Sequence, residues 1–274
     1  MNATPRTIAL CADDYALHPA VDAGVQQLAE LGRLSATSCM TTAPRWREAA
    51  RALPALRQQL AVGLHFNLTD DHGVAANTGI GSIIAQAYTG RLHAAALRSA
   101  WRQQLDAFED ALGTPPDYVD GHQHVHQLPT VRRAMLDELE QRYGSQRPWI
   151  RSTVPAGALR WQPKAAVIAL LGGATLTRQL RTQHWPMNHG FGGVYGFDAP
   201  TPSAYGQHME RWLSACRNGS LLMCHPANTP VDGDAIGQQR PVEFAYLRSA
   251  EFGDALAAQQ CCIANATDLN FNKK

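Results

Sequence analysis

The stretch TIALCADDYALHPAVDAGVQQLAELGRLSATSCMT, residues Thr7–Thr41, decides the fold class. Its first part, Thr7–Cys11, is a β-branched and apolar run that predicts a buried strand. Val21–Leu34 has apolar residues at helical spacing and Gly32 near its end, which predicts a helix. Ser35–Thr41 again suits a strand. A strand, a helix and a strand in this order indicate an α/β protein with a parallel sheet.

The alternation of strands and helices continues along the chain. Further predicted strands are Ala61–Leu68, Tyr118–Val125, Trp149–Arg151, Leu221–His225 and Cys261–Asn265. The predicted helices are a segment with Leu97, Trp101, Leu105, Phe108 and Leu112 on one face, then Pro129–Tyr143, Pro163–Leu180, Ser203–Arg217 and Glu243–Gln259. We therefore expect a single α/β domain over residues 1–274, a distorted (β/α) TIM-like barrel of about seven parallel strands. Long loops at about 70–90 and 184–202 interrupt the pattern, and we expect them to face the substrate.

Composition excludes several classes of protein. The chain has 274 residues, 45% of them hydrophobic, so it can bury a sizeable core. Its 24 Lys and Arg against 23 Asp and Glu give a net charge of +1, and we expect neither nucleic acid nor an anionic membrane as a general partner. The longest apolar stretch, at about 165–176, is shorter than the roughly 20 residues that span a bilayer. The six cysteines lack C-x-x-C spacing, so we expect reduced structural thiols and a cytoplasmic protein.

Polar residues stand where the predicted strands end. They are Asp13, Asp14, His65, the histidines of 122–126, Arg151 and His225. Because the carboxyl ends of parallel strands meet at one mouth of a barrel, we expect these side chains to converge. Asp13 and Asp14 are adjacent, so both reach one site only if the chain bends there. Taken alone, the pair also suits a solvated turn or a cap for a helix before Pro19.

The segment DGHQHVHQLP, residues Asp120–Pro129, carries the most specific pattern. His122, His124 and His126 alternate at a period of two, which would place them on one face of a strand. Neutral imidazoles beside a carboxylate suit metals such as zinc, so the cluster predicts a metal site. Not all three need be ligands, since one can orient another ligand or line the substrate groove.

Several motifs in a fixed order resemble a known family. They are ADDY at 12–15, SATSCM at 35–40, VGLHFNLT at 62–69, DGHQHVHQLP at 120–129, a strand-end arginine and MCHPA at 223–227. Together they resemble the YdjC-like carbohydrate deacetylases, which include chitooligosaccharide and hopanoid-associated members. The resemblance runs from about Ile8 to at least Pro226. It implies a distorted (β/α) barrel and metal-dependent removal of acetyl groups from N-acetylated sugars.

The resemblance also implies a metal site and a substrate class. Asp14, His65 and His122 are then the ligands of one divalent ion, with magnesium or zinc expected. The substrate is an N-acetylated mono- or oligosaccharide or a glycolipid, and a homodimer is expected by analogy. Candidates for substrate binding are His124, His126, Tyr195 and Asn67.

Roles in proton transfer follow from the same motif positions. Asp13 resembles the general base that takes a proton from the attacking water, and His225 the acid that protonates the departing amine. Arg151 is expected to orient Asp13, because a nearby cation lowers the pKa of a carboxylate.

The sequence departs from the family after the two aspartates, and other functions stay open. The commoner run is Phe-Gly-Leu-Ser, but here it is Tyr15-Ala16-Leu17-His18. Ala16 replaces a permissive glycine, and His18 adds a bulky polar group near the site. The alternatives are another metal-dependent hydrolase, a phosphoesterase or an O-acyl esterase, or an inactive homologue that binds sugar. The sequence lacks a Gly-rich phosphate cradle after a strand, which argues against the phosphoesterase.

Overall fold

The structure is a computed structural model that describes residues 4–69, 79–265, 269 and 271. Its strands are β1 (Arg6–Tyr15), β2 (Ala36–Cys39), β3 (Ala61–Phe66), β4 (Tyr118–Gly121), β5 (Trp149–Ile150), β6 (Phe191–Gly192), β7 (Ser220–Cys224) and β8 (Cys261–Ile263). Its α-helices are α1 (Pro19–Glu30), α2 (Trp46–Ala49), α3 (Leu53–Leu56), α4 (Ile80–Tyr88), α5 (Ala94–Leu112), α6 (Pro129–Tyr143), α7 (Pro163–Ile168), α8 (Ala174–Thr182), α9 (Pro202–Ala215), α10 (Arg240–Leu247) and α11 (Ala250–Ala258). Irregular helical turns cover Ala50–Ala52, His122–Gln127, Gly157–Trp161 and Ala169–Gly173.

The strands form one parallel sheet that curls on itself. Their order is β5-β4-β3-β2-β1-β7-β6, and β8 pairs with the start of β1. The two edges meet, since single parallel bridges join Ile150 of β5 to Met187 and Phe191 of β6 to Pro155. This distorted barrel confirms the α/β class and the expected arrangement of about seven parallel strands.

Successive side chains of each strand point alternately into two cores, and this alternation positions the site. In β1, Ile8 and Leu10 belong to the large core under the helices, whereas Ala9 and Cys11 belong to a smaller core that draws on nearly every strand. The smaller core is the barrel interior. Because side chains in a strand alternate, the residue that follows Cys11 on the interior face is Asp13.

Several element boundaries differ from those expected. The first predicted loop contains helix α4, and residues 70–78 of that loop lie outside the described residues. The second predicted loop contains the short strand β6. The predicted helix over Pro163–Leu180 is interrupted at Gly172, which has φ +121°. The predicted helix over Glu243–Gln259 begins earlier and divides at Ser249, whose hydroxyl caps α11.

The six cysteines are all free thiols, as expected. Five are buried and Cys262 is exposed. Among the described residues, no helix is both long enough and apolar enough to cross a membrane.

A strained turn joins β1 to α1. Asp14 has φ +69° and Ala16 has φ +77°, in the left-handed region that favours glycine. The pairing of β1 with β2 shifts register between Ala12 and Tyr15, so the chain bends there as both aspartates require. The cap of α1 is His18, whose Nδ1 accepts the Ala20 N–H at 3.1 Å. The aspartates are therefore free of the capping role.

We expect Ala16→Gly to raise the free energy of unfolding by about 0.5–1 kcal/mol, because glycine adopts a positive φ without steric cost. Chemical denaturation of both proteins measures the difference. The matched control is Ala257→Gly on the exposed face of α11, which should lower the free energy of unfolding by about 0.5–1 kcal/mol. A loss of stability at both positions would contradict the strain at Ala16.

Candidate metal and catalytic site

The strand ends bring five polar side chains into the barrel mouth at interior-facing positions. They are Asp13, His65, Asp120, Arg151 and His225. Each follows an apolar or small residue of the interior face two positions earlier, as Asp13 follows Cys11. The expected convergence at the carboxyl ends of the strands is therefore present.

Asp13 is held by a buried arginine. Its Oδ2 accepts from Arg151 Nη1 at 2.7 Å, and its Oδ1 accepts from Arg151 Nη2 at 2.6 Å and from the Ser38 hydroxyl at 3.0 Å. Burial alone would raise the pKa of Asp13, but Arg151 outweighs it and holds the pKa below its usual range. Arg151 Nη2 also lies 2.6 Å from Asp120 Oδ2, so one guanidinium joins two carboxylates.

Asp14 is the point on which two imidazoles converge. Its Oδ1 lies 3.3 Å from His65 Nε2 and 3.1 Å from His122 Nδ1. Ligand atoms of Asp14, His65 and His122 all lie within 4.8 Å of one another. One carboxylate and two imidazoles suit a divalent metal and leave room for further ligands.

The neighbours of these three residues fit a metal site. His65 Nδ1 lies 2.7 Å from Asp120 Oδ1, which fixes the proton on Nδ1 and leaves Nε2 to face Asp14. Arg240 Nη2 donates to Asp14 Oδ2 at 2.7 Å, so Asp14 has one oxygen, Oδ1, for a metal. Burial would raise the pKa of Asp14, but Arg240 and the imidazoles hold it well below its usual range.

A second acidic cluster in the interior is not a comparable site. Cys11, Asp13 and Asp120 also bring ligand atoms within 4.8 Å of one another. The guanidinium of Arg151 already lies among them, with Nη2 at 3.0 Å from Cys11 Sγ. Burial also raises the pKa of the Cys11 thiol well above its usual value, so the thiolate that binds metals is disfavoured.

The three histidines of the 122–126 segment do not share a face, because the expected strand over Tyr118–Val125 is confirmed only for Tyr118–Gly121 and is wrong beyond it. Strand β4 ends at Gly121, and a helical turn follows in which Gln123 and His124 have φ of +51° and +61°. The side chains therefore diverge. His122 reaches Asp14, and the Nε2 of the buried His126 lies 3.0 Å from the Arg151 carbonyl.

His225 lies close to the carboxylate of Asp13. Its Nε2 lies 3.9 Å from Asp13 Oδ2, and its ring meets the edge of the Phe197 ring at 5.1 Å between centroids. The backbone N–H of His225 donates to Glu243 Oε2 at 2.6 Å. Glu243 is fully buried and also accepts the Tyr195 hydroxyl, so it fixes the position of both residues.

The predicted substrate-binding residues have different surroundings. Tyr195 is buried in an aromatic cluster with Phe197, and the Asn67 side chain is also buried and donates to the Thr42 hydroxyl at 3.0 Å. His126 is fully buried as described above. His124 is half-buried, and its ring meets the edge of Phe191 at 5.5 Å. Substrate contact by these residues stays a prediction, and His124 is the one with a side chain partly open to solvent.

Sequence reasoning missed Arg240 and Glu243. Both are buried charges, and they lie three positions apart at the start of α10. Charged residues in the first turn of a helix ordinarily face solvent, so the sequence offered no signal for either. Asp120 was expected only as the carboxylate beside the histidine cluster, and its position on the interior face follows from the register of Tyr118.

Comparisons with known proteins agree with the fold and the motifs. A family model described as YdjC-like protein matches residues 7–258. The chain is 28% identical over 151 residues to the carbohydrate deacetylase of Homo sapiens, covering 50% of this chain and 46% of that protein. It is 23% identical over 261 residues to the chitooligosaccharide deacetylase of Klebsiella pneumoniae strain 342, covering 92% and 94%. The chain thus spans about half the length of the human relative and nearly all of the bacterial one.

A solved structure has a similar architecture. It is that of a candidate cellobiose-phosphate cleavage protein from Enterococcus faecalis V583, with a TM-score of 0.70 and 19% identity. The superposition covers 97% of this chain and 99% of that chain. At this identity the similarity concerns the fold.

Proposed function

Because the chain belongs to the YdjC-like family, we propose that it is a metal-dependent hydrolase that removes the acetyl group from N-acetylated sugars. The observation that supports this most is the convergence of Asp14, His65 and His122 beside Asp13 and His225 at the barrel mouth. The relatives named as deacetylases supply the substrate class.

Asp14, His65 and His122 are the residues that would hold the divalent ion, and magnesium or zinc is expected. Such an ion lowers the pKa of a bound water and polarises a carbonyl group. Asp120 keeps His65 in the tautomer that a ligand needs, and Arg240 keeps Asp14 ionised. The chain itself therefore prepares this triad for a cation.

Asp13 and His225 would move the protons. Asp13 is ionised at neutral pH and accepts a proton from the attacking water through Oδ2, while Arg151 fixes its orientation. His225 Nε2 lies beside the same oxygen and donates a proton to the amine as the amide C–N bond breaks. Glu243 holds the backbone of His225 in place for this transfer.

Acetate release tests the proposal. Metal-stripped protein is mixed with N-acetylglucosamine and its oligosaccharides, and each divalent ion is added back in turn. We expect acetate that depends on the added ion. Equal release without any ion would contradict metal dependence. Tight sugar binding without acetate would favour the inactive binding homologue, and release only from O-acyl or phosphate esters would favour the other hydrolases.

His225→Ala should lower kcat for amide hydrolysis by about 10²–10⁴-fold, because the amine leaves poorly without a proton. Hydrolysis of an activated aryl acetate, whose leaving group needs no proton, should fall by about tenfold or less. The control is His93→Ala, at an exposed position before α5, which should change neither rate. Equal losses on the two substrates would remove His225 from the role of acid.

Metal binding should release a proton from His65. Burial alone would lower the pKa of His65, but Asp120 and Asp14 raise it to about 10 in the metal-free chain. An imidazole binds metal in its neutral form, so we expect release of about one proton per ion near neutral pH and an affinity that rises with pH. Calorimetry in buffers of different ionisation enthalpy measures this proton. A buffer-independent enthalpy would contradict it.

The same shift sets the sign of a stability effect in the metal-free protein. Protonated His65 is stabilised by its carboxylate partners, so its contribution to the free energy of unfolding is fully present below the ordinary pKa of 6.5. That contribution is lost as the pH rises through about 10.

A further inference from the structure

Exposed apolar side chains are concentrated on one short segment. Five large apolar residues are exposed among the described residues, and three of them are Trp161, Val167 and Leu170, exposed by 76%, 52% and 80%. Scattered exposed apolar residues are normal on a protein surface, but a local group of large ones marks an interaction site.

These residues lie on the outer side of α7 and the turns that flank it. Helical spacing places Lys164, Val167 and Leu170 on one face, and all three are exposed. Ala165 and Ile168, on the other side, pack against the smaller core. We call Trp161, Lys164, Val167 and Leu170 the α7 face. Packing of α7 against the barrel does not require their apolar character.

Exposed cations accompany the apolar residues of the α7 face. Between residues 141 and 197 the sequence has seven Lys or Arg and no Asp or Glu. Four of these cations are exposed on α7, α8 and the turn before them: Arg160, Lys164, Arg178 and Arg181. Since the whole chain has a net charge of +1, its remainder is net negative. Arg142, Arg147 and Arg151 pair with carboxylates outside this segment, so the basic character of this surface comes from the four exposed cations.

The α7 face borders the mouth of the barrel. Lys164 Nζ donates to the Tyr195 carbonyl at 2.6 Å and lies 5.2 Å from the centre of the Phe197 ring. Phe197 in turn contacts His225. At the other end of the segment, a Cβ on Gly173 would lie 2.2 Å from Thr153 Oγ1, so this turn is packed tightly against the loop after β5.

We propose that the α7 face docks onto the surface of an anionic lipid bilayer. Trp161, Val167 and Leu170 enter the interface between headgroups and acyl chains, and the surrounding cations contact the anionic headgroups. A second copy of this chain is a poorer partner, because two basic faces repel each other. Docking brings the mouth close to sugars displayed at the membrane, and only this consequence depends on the proposed function.

Vesicle sedimentation tests the docking with the full, metal-loaded chain. Vesicles of phosphatidylcholine are compared with vesicles of phosphatidylcholine and phosphatidylglycerol in equal parts, at low and high salt. We expect sedimentation mainly with the anionic vesicles, reduced but not abolished by salt. A combined Trp161→Ser, Val167→Asn and Leu170→Gln variant should bind the anionic vesicles at least about tenfold more weakly. Leu31→Gln, at another exposed apolar residue, is its matched control and should bind as before.

The exposed cations beside the α7 face are tested with a second variant and its control. Arg178→Gln together with Arg181→Gln should weaken binding to anionic vesicles by at least about fivefold, because each cation near such a surface contributes to binding. Arg98→Gln, at an exposed position on α5, should leave binding unchanged. All variants should keep the melting temperature and the turnover of soluble N-acetylated sugar of the unchanged protein.

Three results would overturn the docking. They are absence of binding to either vesicle, equal binding by the α7-face variant and the Leu31 variant, and loss of a dimer rather than of vesicle binding when the α7 face is changed. Vesicle binding by a protein that releases no acetate would refute the proposed function and leave the docking in place. Acetate release without vesicle binding would do the reverse.

Discussion

Asp14→Asn should weaken binding of the divalent ion by at least about 100-fold, since even residues that only orient metal ligands cost 10–100-fold when changed. Asp14 Oδ1 faces the imidazoles of His65 and His122, and Oδ2 accepts from the guanidinium of Arg240. Both oxygens therefore face groups that need a hydrogen-bond acceptor or a metal. An amide has a single oxygen and no charge. Its NH₂ group must therefore face either Arg240 or the metal position, and both orientations are unfavourable. Titration calorimetry on metal-stripped protein measures the affinity.

Two further variants make this result interpretable. Asp110→Asn, at an exposed position on α5, should bind metal as the unchanged protein does. His122→Ala should also lose affinity by at least about tenfold, and it leaves the buried pair of Asp14 and Arg240 intact. Circular dichroism shows which variants are folded. Unchanged affinity in folded Asp14→Asn and His122→Ala proteins would refute the assigned metal triad.

Asp13→Asn should retain metal binding and lose about 10²–10⁴-fold in kcat. The change removes the carboxylate that we propose as the proton acceptor but leaves Asp14, His65 and His122 in place. Arg151 keeps an ionic partner in Asp120, so the interior remains paired when the Asp13 charge is lost. Acetate release at saturating metal gives the rate, and calorimetry on the same sample gives the affinity.

Ser38→Ala is the matched control for Asp13. It removes one hydrogen bond to Asp13 Oδ1 but leaves the carboxylate and its contact with Arg151, so kcat should fall by about tenfold or less. Near-normal turnover of Asp13→Asn would exclude the role of general base. Loss of metal by Asp13→Asn would instead place Asp13 within the metal site.

Strand periodicity made much of the interior predictable. In β1, β3 and β7, apolar or small residues of the interior face lead directly to Asp13, His65 and His225. Asp13 and Asp14 can share a site only if the chain bends between them. The register shift of β1 against β2 supplies this bend. The same reasoning places Asp120 and Arg151, whose strands end at the same mouth.

Periodicity failed where the backbone leaves regular structure. The alternation of His122, His124 and His126 is that of a strand, but left-handed conformations at Gln123 and His124 turn the chain into a helical loop. Residues other than glycine adopt a positive φ only rarely, so the alternation of the histidines alone gave no reason to expect this turn. The burial of Arg240 and Glu243 was not predicted for a different reason. It depends on how α10 packs over the mouth rather than on any local pattern.

The one exposed thiol, Cys262, is a site through which the protein can be attached to a surface in a known orientation. It lies in β8, which pairs with Arg6–Ile8 at the amino end of β1, whereas the site lies at the carboxyl end. The other five cysteines are buried, so a maleimide applied to the folded chain should attach at a single position. A sensor surface coupled through Cys262 would present the barrel mouth to the solution in every molecule.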